Sequence, residues 1–355
     1  GERTYLLAEG AAYGLDAENG SVLWRRFVGF DTTYVPTRLE PKPDSDVLLV
    51  EAHPPAILRI DGATGALRWR AALDDLIVGA PVIADDSVLV ATASTGIVVV
   101  DAESGARQGV WQLPQRLESG PATTRRGDHI YQLAGHSNLY SLVPAESKCE
   151  QVFYLGHLES TIDIAPIVAE PYVLIAANRS HDDSVLRVLA TGTEGDLIER
   201  QQVNLSGHVR HAPIISDGRV ILVTDLGAVY VFQIRPPEDP DPLVQVAERS
   251  AADAEHRIRY PLVESGELWY AGRALTRLTI HAARGRLEPR WLLHRDATFT
   301  QRPELLGDHL IHVRRLGGTA ATVVTAADPQ SGDTVWQTFL AAPLVGAPVL
   351  ADDGS

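Results

Sequence analysis

The sequence predicts an all-β fold, an eight-bladed β-propeller of four-stranded antiparallel blades. Three observations carry this expectation: short apolar runs cut by turn residues, prolines at near-constant spacing, and a recurring Asp-to-Gly turn that leads into tryptophan. Residues 81–111 show the unit best. Pro81 opens one run, Val88-Leu89-Val90-Ala91-Thr92 form the next, and Ile97 to Val100 follow after Gly96. The Ile97 run is too short for a helix and β-branched throughout, so it reads as a strand. Asp101-Ala102-Glu103-Ser104-Gly105 then turns the chain into a fourth run ending at Trp111. Four antiparallel strands in about 40 residues make one propeller blade.

The prolines set the period. Pro36, Pro81, Pro121, Pro166, Pro213, Pro261, Pro303 and Pro348 each open a blade's first strand, at a mean spacing of about 45 residues. Proline suits the innermost strand because that strand borders the central channel as a sheet edge, where a missing N–H breaks no ladder bond. The expected blades are 34–75, 76–115, 116–157, 158–207, 208–250, 256–296 and 297–341. The eighth is 4–33 completed by 346–353, within a single domain spanning 1–355. Residues 4–24 supply strands two to four of a blade and Pro348 to Asp353 a lone first strand, so joining them closes the ring. Gly1 at one end and a repeat broken off at Asp353-Gly354-Ser355 at the other are expected of a soluble piece of a longer chain.

The turn signature is Asp16 and Gly20 before Trp24, Asp61 and Gly65 before Trp69, Asp101 and Gly105 before Trp111, and Asp328 and Gly332 before Trp336. The Asp side chain accepts hydrogen bonds from backbone N–H groups two or three residues on, and Gly supplies the positive φ of a tight turn. Each tryptophan then lies on an outermost strand, where its ring fills the gap between blades and its N–H finds a carbonyl. These tryptophans are expected to be buried and structural, whereas Trp269, on a second strand, is not expected to share their place.

Composition excludes several functions. With 31 Lys and Arg against 46 Asp and Glu the net charge is −15, which disfavours nucleic acid and anionic membrane surfaces as partners. The apolar runs fall short of a membrane span, and the lone Cys149 permits no internal disulfide. No nucleophile-elbow serine, phosphate loop or zinc-helix motif is present.

The Asp-x-x-x-Gly turn followed by tryptophan resembles the pyrroloquinoline-quinone-type (PQQ-like) propeller repeat. The resemblance covers essentially the whole chain and is strongest at 15–24, 60–69, 100–111 and 327–336. That repeat occurs in quinoprotein dehydrogenases and in non-catalytic propellers similar to BamB, a lipoprotein of outer-membrane β-barrel assembly. Residues 131–140 and 153–157 also resemble segments of large planctomycete-type repeat proteins. The quinoprotein site relies on a disulfide between adjacent cysteines, a calcium held by Glu, Asn and Asp, and a catalytic Asp. No cysteine pair and no matching set is found here, so no catalytic, cofactor-binding or metal residue is assigned and no cofactor is expected. The resemblance implies a monomeric, non-catalytic scaffold for a protein partner, in a periplasmic or cell-envelope setting. Small-molecule or glycan binding at the central mouth is the alternative, with quinone-dependent dehydrogenation behind it.

Antiparallel order places the loops between strands two and three, and the blade-to-blade links, on one face. That mouth is expected to carry His53, His136, Asn138, His157, Asp182, Arg314 and Arg315 as the interaction surface, with His181, Asp183, His208 and Arg273 beside them. Histidine with carboxylate is metal-ligand chemistry, but no pair here has the tight spacing of a metal motif, and solvated loop residues around a ring account for them. His281, His309 and His312 fall in or beside strands and read as packing residues. Variable loops on a rigid ring are the usual place for recognition.

Overall fold

A computed structural model describes residues 2–340, apart from 43–44, 95, 157–161, 192–195, 252, 254 and 318–320. The chain forms eight antiparallel blades in a ring, with only two short 3-10 turns, Pro144–Glu146 and Ala282–Arg284, among the described residues. Blade 1 comprises Arg3–Ala8, Ala11–Asp16 and Val22–Phe27. Blade 2 runs from Thr37–Arg38 to Leu67–Ala72, blade 3 from Val82–Ala84 to Arg107–Trp111, and blade 4 from Ala122–Thr123 to Lys148–Tyr154. Blade 5 spans Ile167–Ala169 to Leu197–Ser206, blade 6 Ile214–Ser216 to Leu243–Arg249, blade 7 Tyr260–Glu264 to Arg286–Leu293, and blade 8 Thr298–Phe299 to Thr334–Leu340. The expected first, innermost strand of blade 1, at Pro348, lies outside the described residues.

Seven of the eight repeat prolines stand at the innermost strands, six immediately before the strand and Pro261 at its second residue. In blade 8 this strand comes in two pieces, Thr298–Phe299 and Glu304–Leu306, both paired with His309–Arg315 across the detour that contains Pro303. Isolated bridges Ile77↔Thr92 and Leu117↔Ala134 show the same break in blades 3 and 4. A proline at a channel edge interrupts pairing without leaving a buried donor.

The core lies between blades. Eight apolar clusters each join two neighbouring sheets, which is why many strands are apolar on consecutive residues. Leu6, Tyr13 and Leu15 of blade 1 pack on Ile311, Val313 and Val324 of blade 8, so packing closes the ring. Thr4 adds a hydrogen bond to Glu304 at 2.8 Å across the same junction.

Every blade carries a bulge between its third and fourth strands. The residue just past it sits at the junction with the next blade. Trp24, Trp69, Trp291 and Trp336 occupy this place, paired across from Gly14, Arg59, Arg277 and Ala326. Each indole N–H donates to a carbonyl in the next blade's turn: Trp24 to Gly62 at 2.9 Å, Trp69 to Ala102 at 3.0 Å, Trp291 to Gln330 at 3.0 Å and Trp336 to Ala17 at 3.1 Å. Trp24 and Trp69 are buried, while Trp291 and Trp336 are half-buried.

The turn is built to receive that ring. Asp61 Oδ1 accepts from the N–H of Ala63 and of Thr64, and Asp328 Oδ1 from those of Gln330 and Ser331. Gly65 has φ +71°, and a Cβ there would lie 2.7 Å from the Cβ of Trp24, so it is required by conformation and by space.

Trp111 departs from the expectation. Blade 3 places Gly109 opposite Val99 at the junction position, and Trp111 stands two residues further on, half-buried against the cluster shared with blade 4. Blade 4 offers no Asp-to-Gly turn to dock on, since the 3-10 turn Pro144–Glu146 replaces it. Trp269, fully within its sheet's second strand, does not share the position, as expected.

Candidate functional site

Backbone hydrogen bonds show that links and strand-two-to-three loops share one face. Val28 N–H donates to Gly10 O, Leu117 to Ala93, Gly135 to Arg116, Asp225 to His208 and Arg257 to Asp225. The mouth is therefore a belt of cross-bonded loops, and its side chains hold positions fixed by the blades beneath.

The exposed aromatic side chains stand on this face. Among the described residues they are Phe27, Phe30, Tyr154 and Phe339, and each stands in a link or at the mouth end of an outermost strand. Phe30 is 74% exposed and meets Phe27 edge-on with ring centres 5.2 Å apart. Beside Phe30 opens a cleft of about 650 Å³ bounded by Glu9, Val35, Ile258, Tyr260, Phe299 and Arg315. Val35 and Ile258 add further exposed apolar surface to its rim.

The polar mouth residues named from the sequence do not converge on one point. His53 is exposed, 3.8 Å from Asp31. His136 Nε2 lies 2.5 Å from Glu118, and Asn138 donates to Gln115 at 2.6 Å. Arg315 faces blade 1, 3.4 Å from Glu9. Arg314, on the other face of the same strand, is half-buried toward His294 and His312, with no partner for its Nε. It is a residue of the blade 7–8 junction rather than of the open mouth. Arg273 pairs with Asp296 at 2.7 Å. The position of His157 lies outside the described residues.

Among the described residues, the quadrant of blades 5 to 7 brings histidines and carboxylates together. His181 and Asp182 come from the loop of blade 5, His208 from the link to blade 6, Asp225 from the loop of blade 6 and His256 from the link to blade 7. His256 bridges two carboxylates, Nδ1 at 2.9 Å from Asp225 and Nε2 at 3.0 Å from Asp182. With both ring nitrogens facing carboxylate oxygens, the hydrogen bond to Asp225 above all raises its pKa. The buried Asp225 also accepts from the N–H of His208 at 2.7 Å. Asp225 and His256 escape sequence reading because no local spacing joins them. Listing His and Asp in the mouth loops of consecutive blades is the signal that would have found them.

Of the other histidines, His312 is fully buried with no partner for either ring nitrogen. Burial, reinforced by His294 and Arg314, lowers its pKa to about 3. His281 bonds Glu288 at 2.9 Å on the outer strands of blade 7. Cys149 is exposed, and burial of its sulfur pushes its pKa up rather than toward a reactive thiolate.

No helix among the described residues is long and apolar enough to cross a membrane. No curated protein matches the chain. Among solved structures, BamB from Moraxella catarrhalis superposes with a TM-score of 0.62 at 16% identity, covering 88% of this chain and 90% of that one. The computationally designed Ika8 protein gives 0.62 at 14% identity, with 86% and 87% covered. The dihydro-heme d1 dehydrogenase NirN gives 0.60 at 12% identity, with 86% and 65% covered. At these identities the likenesses speak to the fold. The profile described as outer membrane protein assembly factor BamB matches residues 8–197, more than half of the chain, and its residues include the turns and docked indoles of blades 1 and 2. The chain belongs to the BamB family of PQQ-like propellers.

Proposed function

We propose that this propeller is a non-catalytic scaffold that docks a protein partner on its mouth, in the cell envelope. The observation that carries this is the exposed aromatic surface on the mouth face, where Phe27 and Phe30 of blade 1 pack edge to face and Phe339 stands on neighbouring blade 8. Aromatic residues and arginine are enriched at protein interfaces, and an exposed apolar surface on a rigid belt loses little conformational entropy when covered. Arg315 and Arg257 beside the cleft supply the cations that a docked acidic or carbonyl-rich segment would meet. The setting and the class of partner follow from the BamB-type repeat, whose description names outer-membrane protein assembly.

The test pairs binding with stability. Phe30→Ser and Arg315→Ala are expected to weaken capture of the partner about tenfold or more together while leaving the melting temperature within a degree or two, because exposed substitutions cost little fold stability. Val22→Ser, exposed at the opposite end of blade 1, is the control and should leave binding intact. Equal loss at Val22 would overturn the placement. Turnover of an alcohol with added quinone and calcium would overturn the non-catalytic reading.

A further inference from the structure

The geometry points to a zinc site on the mouth, with His256 Nε2, Asp182 Oδ1 and His181 Nε2 as ligands and the buried Asp225 orienting His256 from behind. The ligand atoms of this group lie within 4.8 Å of one another. His256 Nε2 and Asp182 Oδ1 are 3.0 Å apart, and His181 Nε2 is 3.9 Å from the same oxygen. Ligands on a tetrahedral zinc with bonds of about 2.0–2.1 Å stand roughly 3.3 Å from each other, so the present spacing needs only small side-chain rotations. Three ligands facing solvent leave a fourth place for water, the pattern of an open rather than a purely structural site.

The support behind His256 distinguishes this cluster from histidines that happen to be close. A ligating imidazole ordinarily donates its other N–H to a carboxylate or carbonyl, which fixes the ring and its tautomer. Asp225 is that acceptor, 2.9 Å from His256 Nδ1, and its side chain is 1% exposed. Its position is fixed in turn, since its other oxygen accepts the His208 N–H, its own N–H donates to His208 O at 2.9 Å, and Arg257 N–H donates to its carbonyl at 3.0 Å. Asp182 is tied down as well, its carbonyl accepting from Gly207 N–H at 2.5 Å.

A second grouping, His208 with Asp225 and His256, does not offer a cation the same place. His208 Nε2 is engaged with Ser180 O at 2.6 Å, and the guanidinium of Arg210 lies 3.0 Å from its Nδ1 and 3.6 Å from Asp225. The inner niche already holds a positive charge, so the outer group is the one open to metal. Binding puts the Nε2 lone pair of His256 on zinc while its Nδ1 faces Asp225 at 2.9 Å.

Zinc binding to the tag-free protein, read by competition with a chromophoric chelator, is the experiment. It is independent of the docking reading because no partner is present. One equivalent is expected, and cobalt(II) in its place should show the visible bands of a four- or five-coordinate ion. His256→Gln and Asp182→Asn should abolish the site, Asp225→Asn should weaken it by about 10–100-fold, and His53→Gln should leave it unchanged. Asp182 is exposed, so Asp182→Asn tests the site even where His256→Gln disturbs the fold. Absence of stoichiometric zinc, or zinc retained by Asp182→Asn, would overturn the assignment.

Discussion

Four consecutive junctions, from blade 7 round to blade 3, are closed by a tryptophan docked on the next blade's turn, and the four from blade 3 round to blade 7 are not. In the second set the same position holds Gly109, Gln151, Gln201 and Ala247. The glutamines are latches of another kind. Gln201 donates to Leu243 O at 2.9 Å and accepts Leu243 N–H at 2.8 Å, and Gln151 makes the same pair of bonds with Leu197 in the next blade. One half of the ring is therefore joined by ring burial with a single hydrogen bond, the other by paired hydrogen bonds at two junctions, with only small residues at the position in the remaining two. The difference shows that the position past the bulge is the constant of this fold, and that the residue type filling it is not.

The comparison can be broken most forcefully at the indoles. Trp24→Ala leaves a void between blades 1 and 2 and removes the indole bond to the Gly62 carbonyl, and should cost about 3–5 kcal/mol in a urea unfolding titration. Acid is the next largest lever, and it acts on the tryptophan half. His312 between blades 7 and 8 is held neutral, with its folded pKa at about 3 against about 6.5 unfolded. The unfolded chain therefore binds a proton that the fold refuses. Stability from this group is complete above about pH 6.5 and is lost as pH falls toward 3, at up to about 1.4 kcal/mol per pH unit. Substituting His312→Leu should flatten that stretch of the pH profile. A profile identical to that of the parent protein would show that His312 does not titrate as argued.

The glutamine half should respond less. Gln201→Ala unpairs the N–H and carbonyl of Leu243 and should cost about 1–3 kcal/mol, with faster hydrogen exchange at Leu243. The smallest effects distinguish two glycines. Gly65→Ala forces a Cβ onto Trp24 at a positive φ and should cost about 1–3 kcal/mol, whereas Gly109 has open space around it, so Gly109→Ala should be within about 1 kcal/mol of neutral or stabilising.

Much of this was legible in the sequence. The prolines and the Asp-to-Gly turns mark blades because each acts locally, through φ and through bonds two or three residues away. Trp291 was missed as a junction residue because its blade turns through Ala282–Arg284 and Gly285 without an Asp. Trp111 was assigned the docked role because the motif counts a tryptophan near the turn, whereas pairing past the bulge decides which residue faces the junction. The glutamines carry no motif, and the His256–Asp225 pair joins separate blades through folding alone. The mouth could be drawn from strand order, but which of its residues are covered could not, as the half-buried Arg314 shows.

The most direct test sets Trp24→Ala beside Trp111→Ala in the same unfolding experiment. Both tryptophans follow an Asp-to-Gly turn, yet only Trp24 occupies the position past the bulge and bonds the next blade. The account predicts that Trp24→Ala costs more by about 1.5–3 kcal/mol, the difference between a closed junction and a half-buried ring. Equal losses at the two sites would mean that the motif itself, and not the junction position, holds the blades together.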